Sequence, residues 1–127
     1  MIDSISILKE NFEGVAKAQS DFLHNSSSIN TFKLIVDEVV TCYRNGGRLY
    51  IAGNGGSAAD AQHLAAEFVS KLARDRNPLP AEALTTDSSI LTAIGNDYGF
   101  ENIFSRQLAA KSARKICSWA SLPLVSL

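Results

Sequence analysis

Cysteine is scarce in this chain. Cys42 and Cys117 are the only two among 127 residues, too few for a disulfide framework, so a reducing, cytoplasmic setting is the expectation. An excess of one charge is missing as well. The 12 basic side chains nearly balance the 13 acidic ones, for a net charge of −1, whereas a dedicated nucleic-acid binder carries a basic patch. No apolar run approaches the roughly 18 residues that cross a bilayer. The opening MIDSISILKENFEG has neither the basic start nor the apolar block of a signal peptide. Internal repeats and low-complexity tracts are lacking too. Neither nucleic acid nor membrane is therefore expected as a partner. At 46% hydrophobic and 20% charged residues the composition is globular, and the length is that of one domain at most.

What is present begins with helical periodicity. Residues 3–23 place Ile5, Leu8, Phe12, Val15 and Phe22 on one stripe, with Asp3 or Ser4 available as N-cap. After a polar break at HNSSS, residues 29–45 repeat the pattern through Ile29, Phe32, Val36, Val39 and Tyr43, and Gly46-Gly47 supplies a stop. Residues 1–46 read as a helical hairpin, whose apolar stripes have little sheet to cover. Residues 47–110 read as strand, helix, strand, helix. RLYIA (48–52) is a short apolar run entering a glycine turn, and Ser57 to about Arg74 is alanine-rich without Gly or Pro. AEALTT (81–86) is a second strand, Ser88–Ile94 a short helix before a turn at Gly95-Asn96-Asp97, and Glu101 to about Ala110 a further helix. That order predicts an α/β fold with a parallel sheet and helices on both faces. Two strands make a poor parallel sheet, so the chain resembles the first half of such a domain.

Three places could carry chemistry. Gly53-Asn54-Gly55-Gly56-Ser57 joins strand to helix, where glycines admit a close ligand and a helix start offers unpaired N–H donors. Ser57 suits the N-cap and Asp60 follows as a capping acid. The loop lacks the Gly-Lys-Ser/Thr ending of a Walker A motif. It matches a loose dinucleotide fingerprint, with Asp87 as the ribose acid, and by itself it is also an ordinary tight turn. His63 and Glu67 stand at i, i+4 on one helical face. Imidazole and carboxylate so placed can share a divalent metal or transfer protons; on spacing alone they are equally a surface pair. Gly95-Asn96-Asp97-Tyr98-Gly99 is turn chemistry whose two polar side chains could hold sugar hydroxyls. Lys71, Arg74, Asp75 and Arg76 look like an exposed helix end, His24 like a solvated loop residue and Cys42 like a core one.

In this order, GNGGSAADAQH (53–63), Glu67, LTTD (84–87), AIGNDYGF (93–100) and FSRQ (104–107) closely resemble the phosphoheptose isomerases of the SIS sugar-isomerase superfamily. The resemblance implies an α/β/α sandwich around a five-stranded parallel sheet, assembled as a homotetramer. It also implies conversion of sedoheptulose 7-phosphate to D-glycero-D-manno-heptose 7-phosphate, toward ADP-heptose and lipopolysaccharide core. By the matching motifs, Asn54, Gly55, Gly56 and Ser57 would contact the sugar phosphate, and Asn96 and Asp97 would touch substrate. His63 and Glu67 would hold zinc, one ion per subunit, and Glu67 would also be the catalytic base. Lys71 stands where an arginine is expected, keeping the charge without the bidentate fork. Ketose–aldose exchange moves a proton between adjacent carbons through an enediolate, which needs a base and an electrophile; a metal serves as the latter. Two readings compete: a non-catalytic SIS regulatory protein of the kind that binds the replication initiator DnaA, and a nucleotide-binding oxidoreductase half-domain resting on Gly53, Gly55 and Asp87.

Beyond Ala110 the sequence departs from the family. A third strand and a Ser-Thr-Ser-Gly phosphate loop are expected there, and KICSWASLPLVSL (115–127) stands instead. With one choice of codons, the same bases read one position earlier give Lys-Asp-Met-Phe-Val-Gly-Ile-Ser-Thr-Ser-Gly-Lys-Ser. Trp119 has a single codon, and followed by an alanine codon it forces glycine in that other frame. Residues 111–127 are therefore expected to be an aberrant, frame-shifted tail. The chain should then lack the phosphate loop, the further strands, and the C-terminal glutamine and histidine that complete the zinc site. It is expected to be inactive and marginally folded.

Overall fold

The computed structural model describes residues 3–111 and the backbone of 118–121. The chain divides into two compact units, Met1–Asp37 and Glu38–Leu127. In the first unit, α1 (Ser4–His24) is capped by Asp3, whose carboxylate accepts from the Ile5 amide at 3.1 Å and the Ser6 hydroxyl at 2.6 Å. The hydroxyl, ahead of the amides, holds that carboxylate below its ordinary value. Only Asn25 separates α1 from α2 (Ser26–Arg44), so most of the expected polar break is helical. Neither helix buries a residue. Phe12, Leu23 and Leu34 are more than two-thirds exposed, so the described residues provide no cover for these stripes.

The second unit is built on β1 (Leu49–Ala52), all four of whose residues are buried. Its side chains alternate between two cores. Leu49 and Ile51 pack with Ala61 and Ala65 of α3 (Gly56–Val69) and with Ala83, while Tyr50 and Ala52 pack with Leu84, Phe104 and Leu108. Burial on both faces explains the uninterrupted apolar run, the usual pattern for a central parallel strand. β2 (Ala81–Ala83) pairs parallel to β1, with Leu49 opposite Ala81. α4 (Ser88–Tyr98) and α5 (Ser105–Lys111) follow, separated by a 3₁₀ turn at Phe100–Asn102. Helix, sheet and helix thus form three layers, the α/β/α arrangement expected.

Several expectations need correction. The sheet has three strands rather than two, in the order β2-β1-β3. β3 (Ser118–Ser121) pairs parallel to β1, Leu49 opposite Ser118 and Ala52 opposite Ser121. A buried strand leaves no backbone edge unpaired without cost, and the tail segment satisfies the second edge of β1 whatever its side chains. The other residues of the tail, 112–117 and 122–127, lie outside the described ones. α3 ends at Val69, five residues short of Arg74. The expected turn at 95–97 is the last turn of α4, which stops at Gly99, where φ is +88°. The helix expected from Glu101 begins only at Ser105. Cys42, expected in the core, is half-buried.

Two side chains lock this unit. Gln107 is buried, and its Nε2 donates to the carbonyls of Leu84 at 3.0 Å and Ile103 at 2.9 Å, pinning α5 to the end of β2. Tyr43 stacks on Phe68, ring centroids 5.9 Å apart, and its hydroxyl donates to Pro80 O at 3.0 Å. Burial pushes the Tyr43 phenol above its ordinary value, with the Arg76 charge opposing. The neutral form is thus favoured in the fold, and its stabilising contribution is complete below the unfolded value near 10 and lost as pH rises through the raised one. The urea midpoint of the wild-type chain is therefore expected to fall more steeply above about pH 10 than that of Tyr43→Phe. Parallel slopes would show that Tyr43 does not contribute.

Candidate functional site

The strand order 2-1-3 reverses direction at β1, so the crevice beyond the carboxyl ends of β1 and β3 is the topological switch point where open α/β sheets bind ligands. The glycine loop leaves β1 there. A Cβ on Gly53 would stand 2.5 Å from the Ser57 carbonyl oxygen, so glycine is required for α3 to start this close to its strand. Gly55 has φ +56° and ψ −126°, a conformation open only to glycine, and is the residue before α3. No side chain caps this helix start, contrary to the role expected of Ser57, which lies inside the first turn. Gly55 and Gly56 are exposed, leaving backbone open to a ligand at the positive end of the helix.

Thr85 ties the second strand to this cradle. Its hydroxyl donates to Ala58 O at 3.3 Å and lies 3.5 Å from Gln62 Nε2. The next acid, Asp87, caps α4 by accepting from the Ile90 amide at 2.9 Å. One of its carboxylate oxygens is thus engaged by the helix start, the ordinary work of an N-cap acid.

His63 and Glu67 meet as their spacing predicts, Nε2 3.6 Å from Oε1. They differ in exposure: the imidazole is 79% exposed and the carboxylate side chain 24%. Glu67 Oε2 is buried without a hydrogen-bond partner among the described residues, an arrangement that costs about 1–3 kcal/mol unless something answers it. A cation beside the carboxylate would answer it. Two donors on one tetrahedral ion at about 2.0–2.1 Å stand roughly 3.3 Å apart, close to the separation observed. The residues present thus fit half of a zinc site. Among the described residues no group of three His, Cys, Asp or Glu assembles, against the three or four protein ligands usual for zinc.

The shared cleft inferred from sequence is only partly realised. Ala61 and Ala65 face the sheet. Residue 63 lies two positions beyond Ala61, about 200° around the helix, so the imidazole is exposed, whereas Glu67 lies on the flank of α3 beside Phe68 and stays largely buried. The pair also lies two to three turns along α3 from the glycine loop. Asn96 and Asp97 sit in the last turn of α4, about 14 Å along the axis from its Asp87 cap. The Asn96 amide donates to the Asp97 carboxylate at 2.8 Å. Lys71 is exposed beyond α3, its Nζ 4.0 Å from Asp75. The connecting roles of three residues were not foreseen: Arg76, expected at an exposed helix end, and Thr85 and Gln107, noted only within the LTTD and FSRQ motifs. The only cue was residue type, since side-chain donors near a strand or helix end commonly bond carbonyls.

Residues 12–115 match the family model described as SIS domain. The chain is 64% identical over 76 residues to the phosphoheptose isomerase of Roseiflexus sp. (60% of this chain, 39% of that one). It is 48% identical over 103 residues to that of Aneurinibacillus thermoaerophilus (81% and 52%). The solved structure of a phosphoheptose isomerase from Francisella tularensis superposes with a TM-score of 0.75 at 34% identity, covering 86% of this chain and 56% of that one. The chain spans about half the length of the relatives it matches.

Proposed function

The chain belongs to the SIS-domain family, and from that premise we propose that it supplies the N-terminal half of a phosphoheptose isomerase. The substrate on this reading is sedoheptulose 7-phosphate, and the product D-glycero-D-manno-heptose 7-phosphate feeds ADP-heptose and lipopolysaccharide core in the cytoplasm. One observation carries the reading most: the buried, unpartnered Oε2 of Glu67 beside His63, on the helix that the glycine loop opens. A non-catalytic binding module has no need of that pair.

The roles follow from position. Asn54, Gly55, Gly56 and Ser57 offer backbone and side-chain donors to the sugar phosphate. His63 Nε2 and a Glu67 oxygen would hold zinc, which when bound supplies Lewis-acid polarisation of the sugar carbonyl. Glu67 is also the base candidate; with one carboxylate oxygen toward an ion, the other remains for the proton moved between adjacent carbons. Asn96 and Asp97, in the last turn of α4, would touch the sugar. The exposed imidazole of His63 and the exposed stripes of α1 and α2 are both consistent with a homotetramer whose copies complete each site.

Fusing residues 1–110 in register to the C-terminal half of the Francisella relative tests this. The fusion is expected to convert sedoheptulose 7-phosphate, whereas the 127-residue chain, with two ligands assembled, is expected not to. A folded fusion without turnover would refute the assignment.

A further inference from the structure

We propose that Arg76 is a positioning residue that ends α3 and fixes the turn carrying Glu67. The sequence from Ser70 to Arg74 contains no Gly or Pro and does not itself stop a helix, yet α3 stops at Val69. The last four carbonyls of a helix lack intrahelical partners, and here three of them find specific ones. Ala66 O accepts from the Ser70 amide at 2.8 Å. Glu67 O accepts from Arg76 Nη2 at 2.7 Å, and Phe68 O from Arg76 Nη1 at 2.8 Å and from the Leu79 amide at 3.0 Å. The guanidinium therefore replaces amides that a continuing helix would have supplied, and its charge sits at the favourable end of the helix dipole. A third bond, Nη1 to Asn77 O at 2.9 Å, holds the fork against its own loop.

The clamp is itself anchored. Phe68 stacks on Tyr43, whose hydroxyl reaches Pro80 O, so both ends of the 70–80 loop are tied to the turn containing Glu67. Arg76 holds the two carbonyls that follow the Glu67 Cα and the Ser70 amide holds the one before it, so together they fix the direction of the Cα–Cβ bond and with it the place of the buried carboxylate. Two carbonyls one residue apart need a planar fork. Lysine offers a point charge on a flexible stem and holds two carbonyls less rigidly than the fork does. Arg76 touches no reacting atom; it acts through Glu67.

This proposal rests on the proposed function, in which Glu67 is a metal ligand. Zinc affinity of the fusion of residues 1–110 to the Francisella C-terminal half, which supplies the rest of the site, measured by competition with a chromophoric chelator, tests it. The comparison takes wild type, Arg76→Lys, Arg76→Ala and His63→Ala, each checked for its fold by circular dichroism. Both Arg76 variants are expected to bind zinc about 10–100-fold more weakly than wild type, the usual effect of removing a group that orients a ligand. The lysine variant retains the charge and guards against simple unfolding of the alanine variant. Wild-type affinity in a folded Arg76→Lys overturns the fork, and wild-type affinity in both variants overturns the role altogether. If wild type and His63→Ala are equally unable to take zinc, the metal reading of the pair has failed, and this inference with it.

Discussion

Alanine at Gly53 is expected to remove the folded state of the α/β unit. The added methyl would sit 2.5 Å from the Ser57 carbonyl oxygen and 2.7 Å from Ser57 Cβ. Those atoms are backbone and helix start, not the yielding end of a long side chain. Relief requires α3 to move off β1, and with it Ala61 and Ala65, which cover one face of that strand. Overpacking of this kind costs about 1–3 kcal/mol where the surroundings relax and more where they do not, as here with backbone on the far side, against a total stability of only about 5–15 kcal/mol for a domain. The urea midpoint reads the effect. Gly56→Ala is the internal control, because a methyl added there would meet nothing within 4 Å and the residue is helical. That substitution is expected to be neutral or stabilising by up to about 1 kcal/mol. Equal midpoints for the two variants would contradict the close-approach account of the loop.

The second large effect separates function from stability. In the fusion of residues 1–110 to the Francisella C-terminal half, Glu67→Gln is expected to lower turnover by about 10²–10⁴-fold, the usual contribution of a positioned base, and to weaken zinc binding. Stability should move the other way or not at all. The amide has nearly the same shape and removes a buried charge-bearing oxygen that has no hydrogen-bond partner. A variant that keeps its turnover would show that Glu67 is neither base nor ligand. One that loses turnover by unfolding would show the residue to be structural.

The readable parts of this fold are those set by local chemistry. LYIA announced a strand buried on both faces because all four residues are apolar, and GNGGS announced the strand-to-helix turn because Gly53 and Gly55 hold positions no other residue can occupy. The i, i+4 spacing of His63 and Glu67 carried directly into a 3.6 Å contact. Where partners distant in sequence decide, local signals failed. α3 stops early because Arg76 takes its last carbonyls, a bond that spans eight to nine residues and leaves no periodic trace. Gly95 is tolerated inside α4, and the helix continues to Gly99, so glycine alone did not mark its end. β3 was missed because a tail without strand alternation gains its place from the open edge of β1, a property of the partner strand rather than of the segment. The direction in which the His63–Glu67 pair points was also hidden. It depends on which side of α3 meets the sheet, and the alanines at 61 and 65, rather than larger apolar residues, carry that contact.

The central claim is that His63 and Glu67 together hold a metal at the site where sugar is isomerised. Anomalous diffraction at the zinc edge from crystals of the fusion tests it most directly. The account predicts a zinc peak about 2.0–2.2 Å from both His63 Nε2 and a Glu67 carboxylate oxygen. A peak elsewhere, or an imidazole and carboxylate that stay 3.6 Å apart with no zinc between them in zinc-containing crystals, would contradict it.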